Sequence, residues 1–126
     1  MAREEIENWY QQGLSDFKTA KSMFNSEIYD AATFYCEQAV QKLLKATWMK
    51  IRKSYPPKTH NISKIGEQLK APKEIISLLK QIAPFYFISR YPDAANGVPA
   101  EIITKKMAKE LIQITEEVIN WINKQT

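Results

Sequence analysis

The chain has 126 residues, 44% hydrophobic and 11% aromatic, with 18 Lys and Arg against 14 Asp and Glu and a formal net charge of +4. This supplies enough apolar material for one domain, over residues 1–126, with a core that needs no staples, and the single cysteine, Cys36, excludes an intramolecular disulfide or a thiolate metal set. No stretch approaches the roughly 18 apolar residues of a membrane span, and the first residues are polar and acidic, so the expectation is a soluble cytoplasmic protein with no membrane contact.

Ile6, Tyr10, Gly13, Phe17, Ala20 and Phe24 recur at steps of four and three, which predicts an amphipathic helix from about Arg3 to Phe24. Asn25-Ser26 breaks that pattern. A second long helix follows from about Glu27 to Arg52, with Ala32, Tyr35, Ala39, Leu43 and Ala46 inward, where small side chains permit close helix approach. Cys36 lies within it and reads as a small packing residue. Lys53 to Pro57 then stops this helix, because proline supplies no amide donor and restricts the residue before it.

Beyond the turn, Thr59 or Asn61 can cap a short helix over Ile62, Ile65 and Leu69. Ala71-Pro72 opens another through Ile75, Ile76, Leu79 and Ile82, and Pro84 ends or kinks it before the apolar Phe85–Ser89 segment. Residues 91–99 read as a loop from their Pro, Asn and Gly signals. Pro99 suits the first position of a last helix carrying Ile103, Met107, Leu111, Ile114, Val118 and Trp121 or Ile122 on its inner face. The predicted fold is all-α, an antiparallel up-and-down bundle of about four to five helices. Trp9, Phe17, Trp48, Trp121 and the Phe85-Tyr86-Phe87 cluster exceed what a bundle this small requires, which predicts that some of them are buried between subunits.

Charge is unevenly spread. No acidic residue lies between Glu37 and Glu67, whereas Lys42, Lys45, Lys50, Arg52, Lys53, Lys58 and Lys64 all do, giving a local positive field suited to phosphate, nucleic acid or an acidic protein. The structural alternative is a solvated lysine face balanced by acids on a neighbouring helix. Gln38, Lys42, Lys45 and Met49 form a stripe beside the core stripe and could line a groove. Equally, the lysine stems could simply cover apolar surface.

His60 is the only histidine, and no second His or recognisable nucleophile accompanies it. At a helix entry it could serve the backbone, or it could converge with Arg90 on a phosphate or ribose, with the guanidinium supplying a bidentate fork. Arg90-Tyr91-Pro92-Asp93 has the same two faces. Asp93 can cap a turn or pair with Arg90 while Tyr91 packs on the bundle, or the Arg-Tyr pair can bind a base by stacking and its phosphate by charge. The isolated glycines make no phosphate loop, and no carboxylate pair suggests a metal site, so no cofactor is expected.

Taken together, Asp16 and Ala20, the Tyr29–Phe34 entry to helix two, the Glu37–Ala46 core, Thr59-His60-Asn61-Ile62 and Arg90-Tyr91-Pro92-Asp93 resemble, in this order, the HEPN domain family of small helical bundles. The similarity runs from about Asn8 to Ile122. The resemblance implies a bundle that commonly forms a homodimer, is often encoded beside a minimal nucleotidyltransferase as a toxin–antitoxin pair, and for which nucleotide binding has been inferred. Many members are metal-independent RNA-cutting toxins marked by an Arg and, after about four to six residues, a His, paired across a dimer. Here seven residues stand between Arg52 and His60 and no histidine follows Arg90, so that motif is not matched. The expectation is therefore a non-enzymatic module binding a nucleotide, RNA or a nucleotidyltransferase partner through His60, Arg90, Tyr91 and Asp93, with Lys42 and Lys45 as electrostatic support. The alternatives are a weak metal-independent ribonuclease using His60 with Arg52 or Arg90, and a pure assembly module.

Overall fold

The computed structural model describes residues 2–125, so the first and last positions of the expected domain lie outside the described residues. Three long helices carry the architecture: α1 (Arg3–Asn25), α2 (Tyr29–Arg52) and, at the end of the chain, α8 (Lys105–Asn123). Between them run α3 (Ile62–Gln68), α4 (Lys73–Ile82) and three single-turn helices, α5 (Phe85–Ile88), α6 (Pro92–Ala95) and α7 (Pro99–Ile102). The described residues contain no strand, and none of their helices is long and apolar enough to cross a membrane.

The α1–α2 hairpin closes at Glu27, which takes a left-handed conformation at φ 61°, so α2 starts at Tyr29 rather than at Glu27. Gly13 is what lets the two helices touch: a Cβ there would lie 2.7 Å from Leu43 Cγ and 3.2 Å from the Ala39 carbonyl oxygen. At the far end of this pair, the start of α1, the end of α2 and the end of α8 meet, and the Tyr10 hydroxyl donates to Asn123 Oδ1 at 2.6 Å. Helix α8 therefore runs antiparallel to α1 and in the same direction as α2, the order an up-and-down bundle requires. Phe17, Ala39, Leu43, Leu44, Ile65, Leu79, Leu111 and Val118 fill the common core.

Two further stretches differ from the sequence reading. Within the expected 91–99 loop, Pro92 starts the single turn α6, and Asn96, at φ 56°, ends it in the left-handed region that asparagine tolerates. The expected last helix is also divided. Pro99 does open a helix, but Ile103 is extended (ψ 114°) and plugs the core at 2% exposure, after which the Thr104 hydroxyl accepts from the Met107 amide and caps α8. A core residue followed by a capping residue made a helix break that periodicity alone read as continuous.

Candidate functional site

One edge of α2 presents Phe34, Glu37, Gln38, Gln41, Lys42 and Lys45 at helical spacing, and three other elements bring side chains to it. Asp16 comes from α1, His60 from the turn into α3, and Tyr86 and Arg90 from α5 and the residues after it. Asn61 fixes the His60 turn: its side chain caps the Lys64 amide at 3.3 Å and accepts from Ser63 Oγ at 2.7 Å.

Glu37 is at the centre, with no exposed surface. Gln38 Nε2 donates to its Oε1 at 2.9 Å and Gln41 Nε2 donates to its Oε2 at 3.1 Å. Burial nevertheless dominates and pushes its carboxyl up to about 7, against the opposing pull of the two amides and of the Arg90 and Lys42 charges. One hydrogen of the Gln41 nitrogen goes to Glu37, and it is Oε1 that faces the other two neighbours. Lys45 Nζ donates to that oxygen at 3.4 Å, and His60 Nδ1 lies 3.2 Å from it. An amide oxygen cannot donate, so Nδ1 of His60 carries the hydrogen and Nε2 remains the ring's other face for chemistry.

The His60 ring stacks on Tyr86 with centroids 4.7 Å apart and planes at 18°. The Arg90 guanidinium lies over the same Tyr86 ring at 4.4 Å, and also over Tyr91 at 4.9 Å and Phe34 at 5.0 Å. Its Nε donates to the Tyr86 carbonyl at 2.9 Å, which leaves the two terminal nitrogens of the fork uncommitted among the described residues. His60 and Arg90 are both exposed, and Tyr91 is 45% exposed. A buried acid thus lies behind an open corner made of one guanidinium, one imidazole and aromatic faces.

The lysines are less free than the sequence suggested. Lys42 Nζ pairs with the buried Asp16 at 2.5 Å and donates to Gln38 Oε1 at 3.3 Å, while Gln12 Nε2 holds the other Asp16 oxygen at 2.9 Å. Its balancing acid does come from the neighbouring helix. Lys45 sits 5.7 Å from the Trp9 ring, and partial burial lowers its ammonium below the usual lysine value, with Glu37 opposing and Lys42 reinforcing that shift. Asn8, Trp9, Gln12 and Lys42 line a shallow depression of about 250 Å³ beside this network. Met49, read from sequence as part of the same stripe, is instead 1% exposed.

Of the expected site residues, the structure brings together His60, Arg90, Tyr91, Lys42 and Lys45. It does not bring in Asp93, which stands exposed on α6 with no side-chain hydrogen bond or ion pair among the described residues. Arg52 is committed elsewhere, donating to the Gln68 carbonyl and lying over the Trp48 ring at 5.1 Å. Sequence reasoning missed Glu37, Gln41 and Tyr86. The available signal was an acid and an amide four residues apart on a helix, each preceded by a small or apolar core residue, Cys36 and Val40. Cys36 is buried, and its thiol is pushed up to about 12 mainly by desolvation, as suits a packing residue. Among the described residues no group of three His, Cys, Asp or Glu side chains could hold a metal ion.

The HEPN domain model matches residues 6–125. The chain belongs to the HEPN domain family. A crystal structure of an archaeal HEPN homologue, ST0689, superposes with a TM-score of 0.83 at 27% identity, covering 99% of this chain and 98% of that one. The crystal structure of TT1696 from Thermus thermophilus has a TM-score of 0.86 at 21% identity, covering 96% of this chain and 98% of that chain, a likeness of fold. No curated protein matches the chain. The segments around Glu37, His60 and Arg90 all fall within the matched HEPN region.

Proposed function

We propose that this HEPN domain is a non-enzymatic binding module whose His60–Tyr86–Arg90 corner takes the phosphate and base of a nucleotide or a nucleic-acid segment. The carrying observation is that His60 stacks on the ring over which Arg90 lies, while the terminal guanidinium nitrogens have no partner among the described residues. A fork already held over aromatic rings loses little further freedom on meeting a phosphate, and the exposed Tyr91 ring offers a base a stacking face. Lys45 adds positive potential. Lys42 acts mainly on Asp16, so its support is indirect.

The test is a melting and fluorescence titration against a nucleotide panel. Arg90→Ala should weaken binding by about tenfold while leaving helicity intact, as expected for losing one charge-assisted contact. Equal affinities for wild type and variant would end this reading. Homodimer formation and a nucleotidyltransferase partner of a toxin–antitoxin pair belong to the same proposal. Support comes from Phe87, Tyr91, Val98 and Ile102, which are large apolar side chains exposed on or beside α5 to α7.

A second reading, metal-independent RNA cleavage, is favoured by one observation. The hydrogen on His60 Nδ1 leaves Nε2 as the basic nitrogen, near an arginine able to stabilise a phosphorane. Labelled RNA incubated in chelator with wild type and His60→Ala separates the two. Cleavage lost only in the variant establishes the enzyme, and no cleavage by either leaves the binding module.

A further inference from the structure

A cavity of about 550 Å³ opens where the start of α1 meets the ends of α2 and α8, and it shares no residue with the His60–Arg90 corner. Along α2 the two are well separated, since Lys50 lies 13 residues beyond Glu37, about 20 Å at the helical rise. Ile6 and Tyr10 wall the cavity, with Met49 and Ile122 beneath. Its volume falls within the range of small-molecule sites.

Charge here is unbalanced. Arg3, Lys50 and Lys53 line the opening, and none of the three makes a side-chain hydrogen bond or ion pair among the described residues. Glu7, which also lines it, accepts from Gln11 Nε2 at 2.7 Å, so three cations face one acid. Lys53 is fixed at the opening by its left-handed backbone (φ 52°), which turns the chain sharply as its amide bonds the Met49 carbonyl. On the polar wall, Tyr10 holds Asn123 through its carbonyl oxygen, leaving the Asn123 amide hydrogens as donors.

Apolar surface below, unpartnered cations above and an oriented amide at the side form the complement of one ligand class. We infer that this cavity binds a small amphipathic organic anion, its apolar body against Ile6 and Tyr10 and its anionic head between Lys50, Lys53 and Arg3. The exposed carbonyls at the α2 C-terminus repel an anion, so the cationic side chains, rather than the backbone, supply the attraction. This inference stands independently of the nucleotide reading.

The probe is anilinonaphthalene sulfonate fluorescence, with octanoate, octanol and octylamine as competitors against the full chain. The dye should bind, octanoate should displace it, and octanol and octylamine should compete at least tenfold less well. Lys50→Glu with Lys53→Glu should weaken dye and octanoate binding at least tenfold. Both positions are exposed, so the fold should survive, as circular dichroism would verify. Arg90→Ala should leave octanoate binding unchanged. Absence of dye binding, equal competition by octylamine, or indifference to the double charge reversal would overturn the inference; so would loss of octanoate binding in Arg90→Ala.

Discussion

Helix α2 carries its lysines in two regions that the sequence writes as one run, and they are physically different. Around Glu37 to Lys45 each polar group is engaged: Asp16 with Lys42, Lys42 with Gln38, Gln38 with Glu37, Glu37 with Gln41, and Gln41 with His60 and Lys45. From Lys50 to Lys53 the lysine ammonium groups are exposed and without partners among the described residues. A charge that is locked positions its neighbours, whereas a charge that is free attracts something from outside. The difference arises because Glu37 and Asp16 are buried and must be satisfied, and the surface near Lys50 imposes no such demand.

The largest expected effect that sharpens this comparison is the pH dependence of Glu37. Its carboxyl titrates near 7 in the folded chain and near 4.5 when unfolded, so between these values the folded state holds a proton that the unfolded state has lost. Raising the pH through this window therefore lowers stability, by up to roughly 3 kcal/mol from this group alone. Urea denaturation at a series of pH values should show that fall, and Glu37→Gln should flatten it. A variant profile parallel to wild type would break the account of the buried acid.

Next comes the ion pair. Lys42→Ala leaves the Asp16 carboxylate, whose side chain is 6% exposed, with only the Gln12 amide, and should cost about 2 kcal/mol in the same experiment. Smallest is Lys50→Ala, which removes an exposed ammonium and should leave stability within about 0.5 kcal/mol of wild type. Equal losses for the two lysines would erase the distinction between the regions.

The long helices were legible because each places apolar residues at helical spacing over about four turns or more, a signal that tertiary packing reinforces. The region after Pro84 was less so. There the structure is set by single capping residues, Asn96 in the left-handed region and the Thr104 hydroxyl at the start of α8, and by Ile103, which reaches the core from an extended backbone. His60, Arg90 and Tyr91 could be picked from sequence by residue type and turn context. Their joint placement depended on Tyr86, which looked like one more apolar position in Phe85–Ile88 yet serves as the ring on which both cation and imidazole lie. Glu37 was hidden for the opposite reason: a glutamate in a helix reads as a solvated surface charge, and only the packed bundle shows it with no exposed surface. Asp93, three residues after Arg90, makes no side-chain bond to it among the described residues, since Pro92 starts a new helical turn between them.

Recognition as proposed requires the imidazole and guanidinium that share the Tyr86 ring to act as one surface. Nitrogen-15 NMR of the His60 ring and the Arg90 Nε–H during titration with a nucleoside monophosphate tests this most directly. Both signals should move together along one binding curve while the Lys50 backbone amide stays still. Movement of neither, or of Lys50 instead, would contradict it.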